Sequence, residues 1–310
     1  MKQDVALIGP GRVGCAVSRR LYEAGYPITA IISRKKQKAA EACSYIGCST
    51  DLASNQLADA TTAQIILLAV PDDQIQQIAL QLQSSCQLSK QTTMLHFSGL
   101  HPAEIMRHKS SAAALISLHP LLPFAARQKA FENLYQCPCA LESDSPEALA
   151  LGQQMINAIG GCWFTLTSDK KPLYHTTACI ASNYLVTLLA SARNLLIDCG
   201  IEPDQAIPLL QPLVQASLEN VKNLGPEQAL TGPIVRGDIG TVTHHIQALK
   251  KDAPELLQTY LWMGDLTTTH SKNSRRLASE SAIAMHNLFS IEINEQIEAL
   301  RRTDLSEKNN

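Results

Sequence analysis

Three glycines, Gly9, Gly11 and Gly14, follow a short apolar run from Val5 to Ile8 and open a helical pattern. In that context each has a chemical use. Gly9 allows a tight strand-to-helix turn, Gly11 lets backbone N–H groups approach a diphosphate with no Cβ in the way, and Gly14 lets the helix pack closely on the strand. A phosphate held there would lie at the positive end of the helix. Pro10, Arg12 and Val13 complete the turn, and Val70 and Pro71 end another apolar run that should close the same site. After the second apolar run, where an acid would bond a ribose 2′-OH, the chain reads Ser33, Arg34, Lys35, Lys36. A hydroxyl and cations in place of a carboxylate favour a 2′-phosphate, so the pattern predicts NADP(H) over NAD(H).

Reduction by a nicotinamide also needs a side chain that gives a proton to the developing alkoxide or amine. Ser98 and His119 end the fifth and sixth expected strands, and histidine is the natural proton carrier near neutral pH. A third segment opens a long helical pattern, where His175, Cys179, Ser182 and Asn183 share one face at 100° per residue and Tyr174 turns away. Polar groups inside an apolar helix are costly unless paired or used, so His175, Ser182 and Asn183 are candidates for a substrate pocket. A fourth segment between two helices carries Thr231, Arg236 and Asp238. Arg236 could hold a carboxylate through two hydrogen bonds, or it could pair with Asp238 and only shape the loop.

These side chains need a frame. The first 120 residues alternate strand and helix patterns as a doubly wound α/β domain does. Expected strands are Asp4 to Ile8, Ile28 to Ser33, Tyr45 to Cys48, Gln64 to Val70, Thr92 to Phe97 and Ala113 to Leu118. An extension adds Cys137 to Leu141, a helix from Pro146 to Ile159, and Cys162 to Leu166. From residue 169 the pattern is helical: Pro172 to Cys199 with Gly200 as its cap, then Pro203 to Val214, Gln215 to Asn223, Gly240 to Leu249, Pro254 to Thr269 and Asn273 to Arg302. The reading is a Rossmann domain over 1–168, an all-helical domain over 169–302, and a polar, disordered tail over 303–310.

The chain has 310 residues, 45% of them apolar, enough for two cores, and a formal net charge of −2. No basic stripe points to nucleic acid or to a membrane surface. The first apolar run is too short for a secretory signal, and a cytoplasmic protein is expected. Residues 178–197 are apolar, but Asn183, Arg193 and Asn194 favour a helix buried in protein over a membrane span. Nine cysteines without C-x-x-C pairs and nine histidines without H-E-x-x-H predict neither disulfides nor a metal, with most cysteines acting as small buried hydrophobes. His244, His245, His270 and His286 are assigned no role.

Gly9-Pro-Gly-Arg-Val-Gly14, Ser33-Arg34, Ala69-Val-Pro-Asp72, Leu118-His-Pro-Leu121, Leu173-Tyr-His175, Ala181-Ser-Asn-Tyr-Leu185 and Leu230-Thr-Gly-Pro233 with Arg236-Gly-Asp238 resemble a bacterial family of Rossmann proteins whose C-terminal helical domain was long of unknown function. The plan is similar to the 6-phosphogluconate dehydrogenase-like superfamily, which implies an N-terminal NADP domain, an all-helical C-terminal domain and a homodimer formed through it. Some members of the family are an alternative type of ketopantoate reductase, which implies 2-dehydropantoate as substrate and a place in pantothenate and coenzyme A biosynthesis. The usual ketopantoate reductases carry a Lys on the interdomain helix with an Asn four positions later. Here His175 is followed by Cys179 and then Asn183, and Lys171 stands just before Pro172. Ser98 and His119 resemble instead the Ser and His of prephenate dehydrogenases, which leaves His119, His175 and Lys171 as alternatives for proton donor. The rival functions are an imino-acid or prephenate-like reductase, and a non-catalytic NADPH sensor.

Overall fold

The computed structural model describes residues 2–85, 88–89, 91–108 and 113–307. They form two compact units, Met1–Tyr184 and Leu185–Asn310. The first holds strands β1 (Val5–Ile8), β2 (Ile28–Ile32), β3 (Ala53–Ser54), β4 (Ile65–Leu68), β5 (Thr93–His96), β6 (Ala114–Pro120), β7 (Pro138–Ser143) and β8 (Cys162–Thr165), in one sheet of order β3-β2-β1-β4-β5-β6-β7-β8. From β3 to β6 all pairings are parallel; β7 runs antiparallel to β6, and β8 follows β7 in parallel. The order reverses between β1 and β4, and the crevice at the carboxyl ends of those strands is where open α/β sheets bind ligands.

Side chains on a strand alternate between faces, and a sheet covered on both sides reads as an unbroken apolar run. In β4, Ile65 and Leu67 join one buried cluster while Ile66 and Leu68 join another. Helices α1 (Arg12–Glu23), α2 (Lys36–Ile46), α3 (Asp72–Ser85), α4 (Arg127–Asn133), α5 (Pro146–Ala158) and α6 (Lys171–Ala178) belong to this unit. The strand expected at Tyr45 to Cys48 is instead the end of α2 and the turn after it. Ala39, Ala42, Cys43 and Ile46 recur at helical spacing and are buried, and Gly47, at φ +94°, ends the helix. The third strand lies later, at Ala53 and Ser54.

The long helical pattern is present, but it is not one regular α-helix. After α6 a wider π-type turn spans Cys179–Tyr184, and α7 (Leu185–Asp198) resumes. Gly200, at φ +89°, follows as expected. The break between units therefore falls inside the helix and not before it, because the first turns of α6 pack on the sheet. By length and composition alone the helix over 168–198 could cross a membrane. Within this chain α7 has no buried residue, so its own chain does not supply the burial in protein that was expected. Its apolar surface exceeds what this chain's own core covers.

In the second unit α8 (Pro203–Leu224) is continuous where two helices were expected, running through Pro208 and Pro212 with no break at Val214 and Gln215. After α9 (Pro226–Ala229), the core is made by α10 (Ile239–Asp252), α11 (Pro254–Asn273) and α12 (Ser279–Glu307), where Val242, Ile246, Leu257, Leu261, Met285 and Phe289 pack together. A Cβ at Gly264 would collide with the Phe289 ring, which lets α11 and α12 approach closely. The tail expected from Thr303 is helical through Glu307; extending an existing helix gains one hydrogen bond per residue fixed, and nothing before Glu307 breaks it. Residues 308–310 lie outside the described residues, as does Cys86. Of the other cysteines, Cys15, Cys43, Cys137 and Cys139 are buried, Cys48 and Cys179 half-buried, and Cys162 and Cys199 exposed.

Candidate active site

A cavity of about 950 Å³ opens at the carboxyl ends of β1, β2 and β4 and is lined by Gly9, Pro10, Gly11, Ser33, Arg34, Val70 and Pro71 among others. The three glycines meet the demands read from their spacing. Gly9 has φ +86°, and a Cβ there would lie 2.6 Å from the Ala69 carbonyl oxygen. A Cβ on Gly11 would touch nothing closer than 4.0 Å, so its absence leaves the cavity floor as bare backbone. A Cβ on Gly14 would come within 2.7 Å of the Ala69 Cβ and 2.9 Å of Leu7 Cδ1, the close helix-to-strand packing expected there. Arg34 and Lys38 line the cavity beyond β2, where a 2′-phosphate on the adenosine ribose would meet them. The donor set thus fits NADP(H).

Beside this cavity, at the ends of β5 and β6, is a second cluster. Ser98 donates its hydroxyl to Asp72 Oδ2 at 2.7 Å and accepts from the N–H groups of Leu100 and His101, so all its hydrogen-bonding capacity is spent on the turn. His96 is fully buried, with Nε2 3.1 Å from the Pro102 carbonyl and Nδ1 accepting from Ser98 N–H. That arrangement suits only the neutral ring, and burial lowers its pKa to about 4.

His119 and His175 meet over Gly99. A Cβ at Gly99 would stand 2.7 Å from His175 Nδ1 and 3.0 Å from His119 Nε2, so only glycine lets the two rings come this close. His119 Nδ1 lies 2.7 Å from the Tyr174 hydroxyl. Burial first, then the neighbouring His175 and Lys171, push the His119 pKa down to about 4. A neutral His119 that accepts the Tyr174 proton at Nδ1 keeps its N–H on Nε2, the nitrogen facing Gly99. His175 Nδ1 is buried without a hydrogen-bond partner among the described residues. Leaving such a group unpaired costs on the order of 1–3 kcal/mol.

Lys171 lies beneath this pair, 1% exposed, its Nζ donating to Ser117 Oγ at 2.7 Å and to the Ser98 carbonyl at 3.4 Å. Burial pulls its pKa down to about 8, against the attraction of Glu142 and Asp72. At neutral pH the ammonium remains charged, and it is the fixed cation of the cluster.

Among the expected site residues, the structure brings together Ser98, His119, His175 and the alternative donor Lys171, and adds Tyr174, Asp72 and Gly99. Tyr174 is not turned away from the site: Tyr174 and His175 flank His119, at ring-centre distances of 5.5 and 5.9 Å. The shared stripe of His175, Ser182 and Asn183 assumed 100° per residue, and the π-type turn breaks that phase; Ser182 is half-buried and Asn183 exposed. Thr231, Arg236 and Asp238 belong to the second unit, where Asp238 caps α10 by accepting from Thr241 N–H and Oγ1. Around the cavity, Lys35 starts α2, Gly14 packs inside, and Arg12 donates to the Phe124 carbonyl; with Val13 they do not line it. Lys38 and Arg127, which do line it, were missed.

Residues 4–92 match the family described as NADP oxidoreductase, coenzyme F420-dependent, and residues 137–267 match a domain of unknown function, DUF2520. The first match spans the glycine turn and the cations after β2; the second includes His175. No curated protein matches the chain in sequence. In structure the chain is similar to a protein from Bacteroides fragilis described as an NADP oxidoreductase, with TM-score 0.70 and 19% identity over 92% of this chain and 98% of that one. It is also similar to a protein from Thermotoga maritima, with TM-score 0.66 and 26% identity over 87% and 99% of the two chains. A pyrroline-5-carboxylate reductase from Coxiella burnetii shares the fold, with TM-score 0.55 and 15% identity over 90% and 100%.

Proposed function

We propose that the chain is an NADP-dependent oxidoreductase that reduces a small 2-keto acid, with 2-dehydropantoate the first substrate to test; the matches of residues 4–92 to an NADP oxidoreductase family and of residues 137–267 to DUF2520 support the reading. The observation that carries the reading is the convergence of His119 Nε2 and His175 Nδ1 on Gly99, at the strand ends beside the cofactor cavity. When bound, the reduced dinucleotide supplies a hydride. His119, neutral and fixed by Tyr174, would orient the substrate carbonyl through its Nε2–H. His175, its Nδ1 uncommitted, would give the proton. Lys171 would hold a positive field under the pair, favourable both to an anionic acid and to a developing alkoxide. Ser98 would act as the lock on the turn that presents Gly99, and Asn183 and Ser182 would contact substrate further along the helix.

The experiment is NADPH oxidation by the purified protein with ketopantoate, pyrroline-5-carboxylate and prephenate, each beside an NADH control. NADPH-dependent turnover of ketopantoate alone is the expected result. Turnover of the cyclic imine instead would move the substrate and keep the site. Tight NADPH binding with no turnover of any of them would favour a sensor. His175→Ala is expected to lower turnover by about 10² to 10⁴, the scale of a lost general acid, with NADPH affinity kept. We also propose a homodimer through the helical unit, supported by α8, in which Ala206 is the one buried residue while Leu209, Leu213 and Leu218 are exposed.

A further inference from the structure

The segment between β6 and α4 passes over the glycine turn and is tied to it from both sides. Arg12, at the start of α1, donates to the Phe124 carbonyl at 3.2 Å, and Arg127, at the start of α4, donates through Nη2 to the Pro10 carbonyl at 3.2 Å. Behind the turn α4 is clamped to α1, with Arg20 donating twice to the Phe131 carbonyl and its guanidinium stacked 4.0 Å from the Phe131 ring. The Tyr45 hydroxyl donates to the Arg127 carbonyl at 3.0 Å. Arg127 is therefore held by its backbone and by one guanidinium N–H. It also lines the cavity beside Gly9, Pro10 and Gly11, and no ion pair among the described residues engages it.

We propose that Arg127 is a ligand of the dinucleotide's diphosphate, completing from the β6–α4 strap a site whose other face is the bare backbone of the glycine turn. The inference rests on the cofactor reading above. A guanidinium has five N–H donors in a fixed fork; one is spent on Pro10, and that bond aims the group across the turn. Arg34 and Lys38 line the cavity from the segment that follows β2, and Arg127 lines it from the strap at Pro10, so the cations fall into two sets. One meets a phosphate that only NADPH carries. The other meets a diphosphate that NADPH and NADH share.

The two sets predict different losses. Dissociation constants are measured by fluorescence titration for NADPH, NADH and adenosine 2′-monophosphate, which has the 2′-phosphate and no diphosphate. Arg127→Gln keeps a polar, uncharged side chain, removes the charge and gives up the Nη2 bond to the Pro10 carbonyl. It is expected to weaken NADPH and NADH by the same factor, about 10- to 100-fold for a lost charge-assisted hydrogen bond, to leave the 2′-monophosphate within twofold, and to flatten the salt dependence of NADPH affinity. Arg34→Ala should do the reverse, weakening NADPH and the 2′-monophosphate and sparing NADH. The proposal is overturned if Arg127→Gln leaves NADPH affinity unchanged, or if it weakens the 2′-monophosphate as much as NADPH, the mark of a collapsed cavity. Failure of the unaltered protein to bind NADPH at all would overturn the cofactor reading as well.

Discussion

Lys171 offers a test in which activity and stability move in opposite directions. Its pKa falls from 10.5 to about 8 in the folded chain, chiefly through burial. Below pH 8 both folded and unfolded chains carry the proton, and the fold bears the cost of a buried charge; at 1.36 kcal/mol per pKa unit that cost is about 3 kcal/mol. Between pH 8 and 10.5 the unfolded chain holds the proton and the folded chain has lost it, so stability rises with pH and the cost disappears. Lys171→Met keeps the length of the side chain, removes the charge, and gives up the bonds from Nζ to Ser117 Oγ and the Ser98 carbonyl, each worth about 1 kcal/mol. Ser117 Oγ still reaches the Ser98 and His101 carbonyls, both at 3.4 Å, so it is not orphaned. The net expectation is a variant about 1–2 kcal/mol more stable than the parent at pH 7, with an advantage that shrinks from pH 8 toward 10.5, and with turnover lower by at least about 10². Urea unfolding of both proteins at pH 7, 8.5 and 10 measures the difference directly, and groups common to both cancel. A variant less stable at pH 7 by a margin that does not change with pH would refute the reasoning, because Lys171 would then be an ordinary packing residue.

Gly99→Ala is expected to part His119 from His175, since the new methyl would lie 2.7 Å from His175 Nδ1 and 3.0 Å from His119 Nε2; turnover should fall about 10²-fold, as for misplaced reacting groups, and an unchanged NADPH dissociation constant would confine the damage to the histidines. His96, lowered to about 4 by burial, takes no proton in the folded chain between pH 6.5 and 4 while the unfolded chain does, so its contribution is full above pH 6.5 and falls as pH drops toward 4, by up to about 3 kcal/mol; His96→Gln should make that acid limb shallower and leave the share of His119, lowered likewise, as read by denaturant midpoints across the range. Light scattering should give about twice the 33.7 kDa chain mass, and Leu213→Glu, at a side chain 67% exposed, should shift the protein toward the monomer; a monomeric parent would remove the proposed dimer.

How far the sequence could be read depended on how local each residue's requirement is. Gly9, Gly11 and Gly14 each answer a demand set within a few residues, a positive φ, an open floor and a close packing, so their spacing was enough. Lys38 lies in the first turn of α2, which begins at Lys36 just after Arg34, and a cation in the first turn after the second strand was a signal that could have found it. Arg127 could not be found that way, because it meets Pro10 across 117 positions of chain. The same contrast holds within the histidine cluster. His119 is visible because Pro120 ends its strand, whereas a helical phase turns Tyr174 away, and Lys171 stands among the alternative proton donors only through the family resemblance, with nothing in the sequence to show its burial. Lysine is almost never buried without a partner, which is why sequence reading places it at the surface. That same rarity gives its burial under two histidines weight: a cation held at a cost of about 3 kcal/mol is poorly explained by packing, which an apolar side chain of the same length would serve better, and well explained by a reaction that develops negative charge above it.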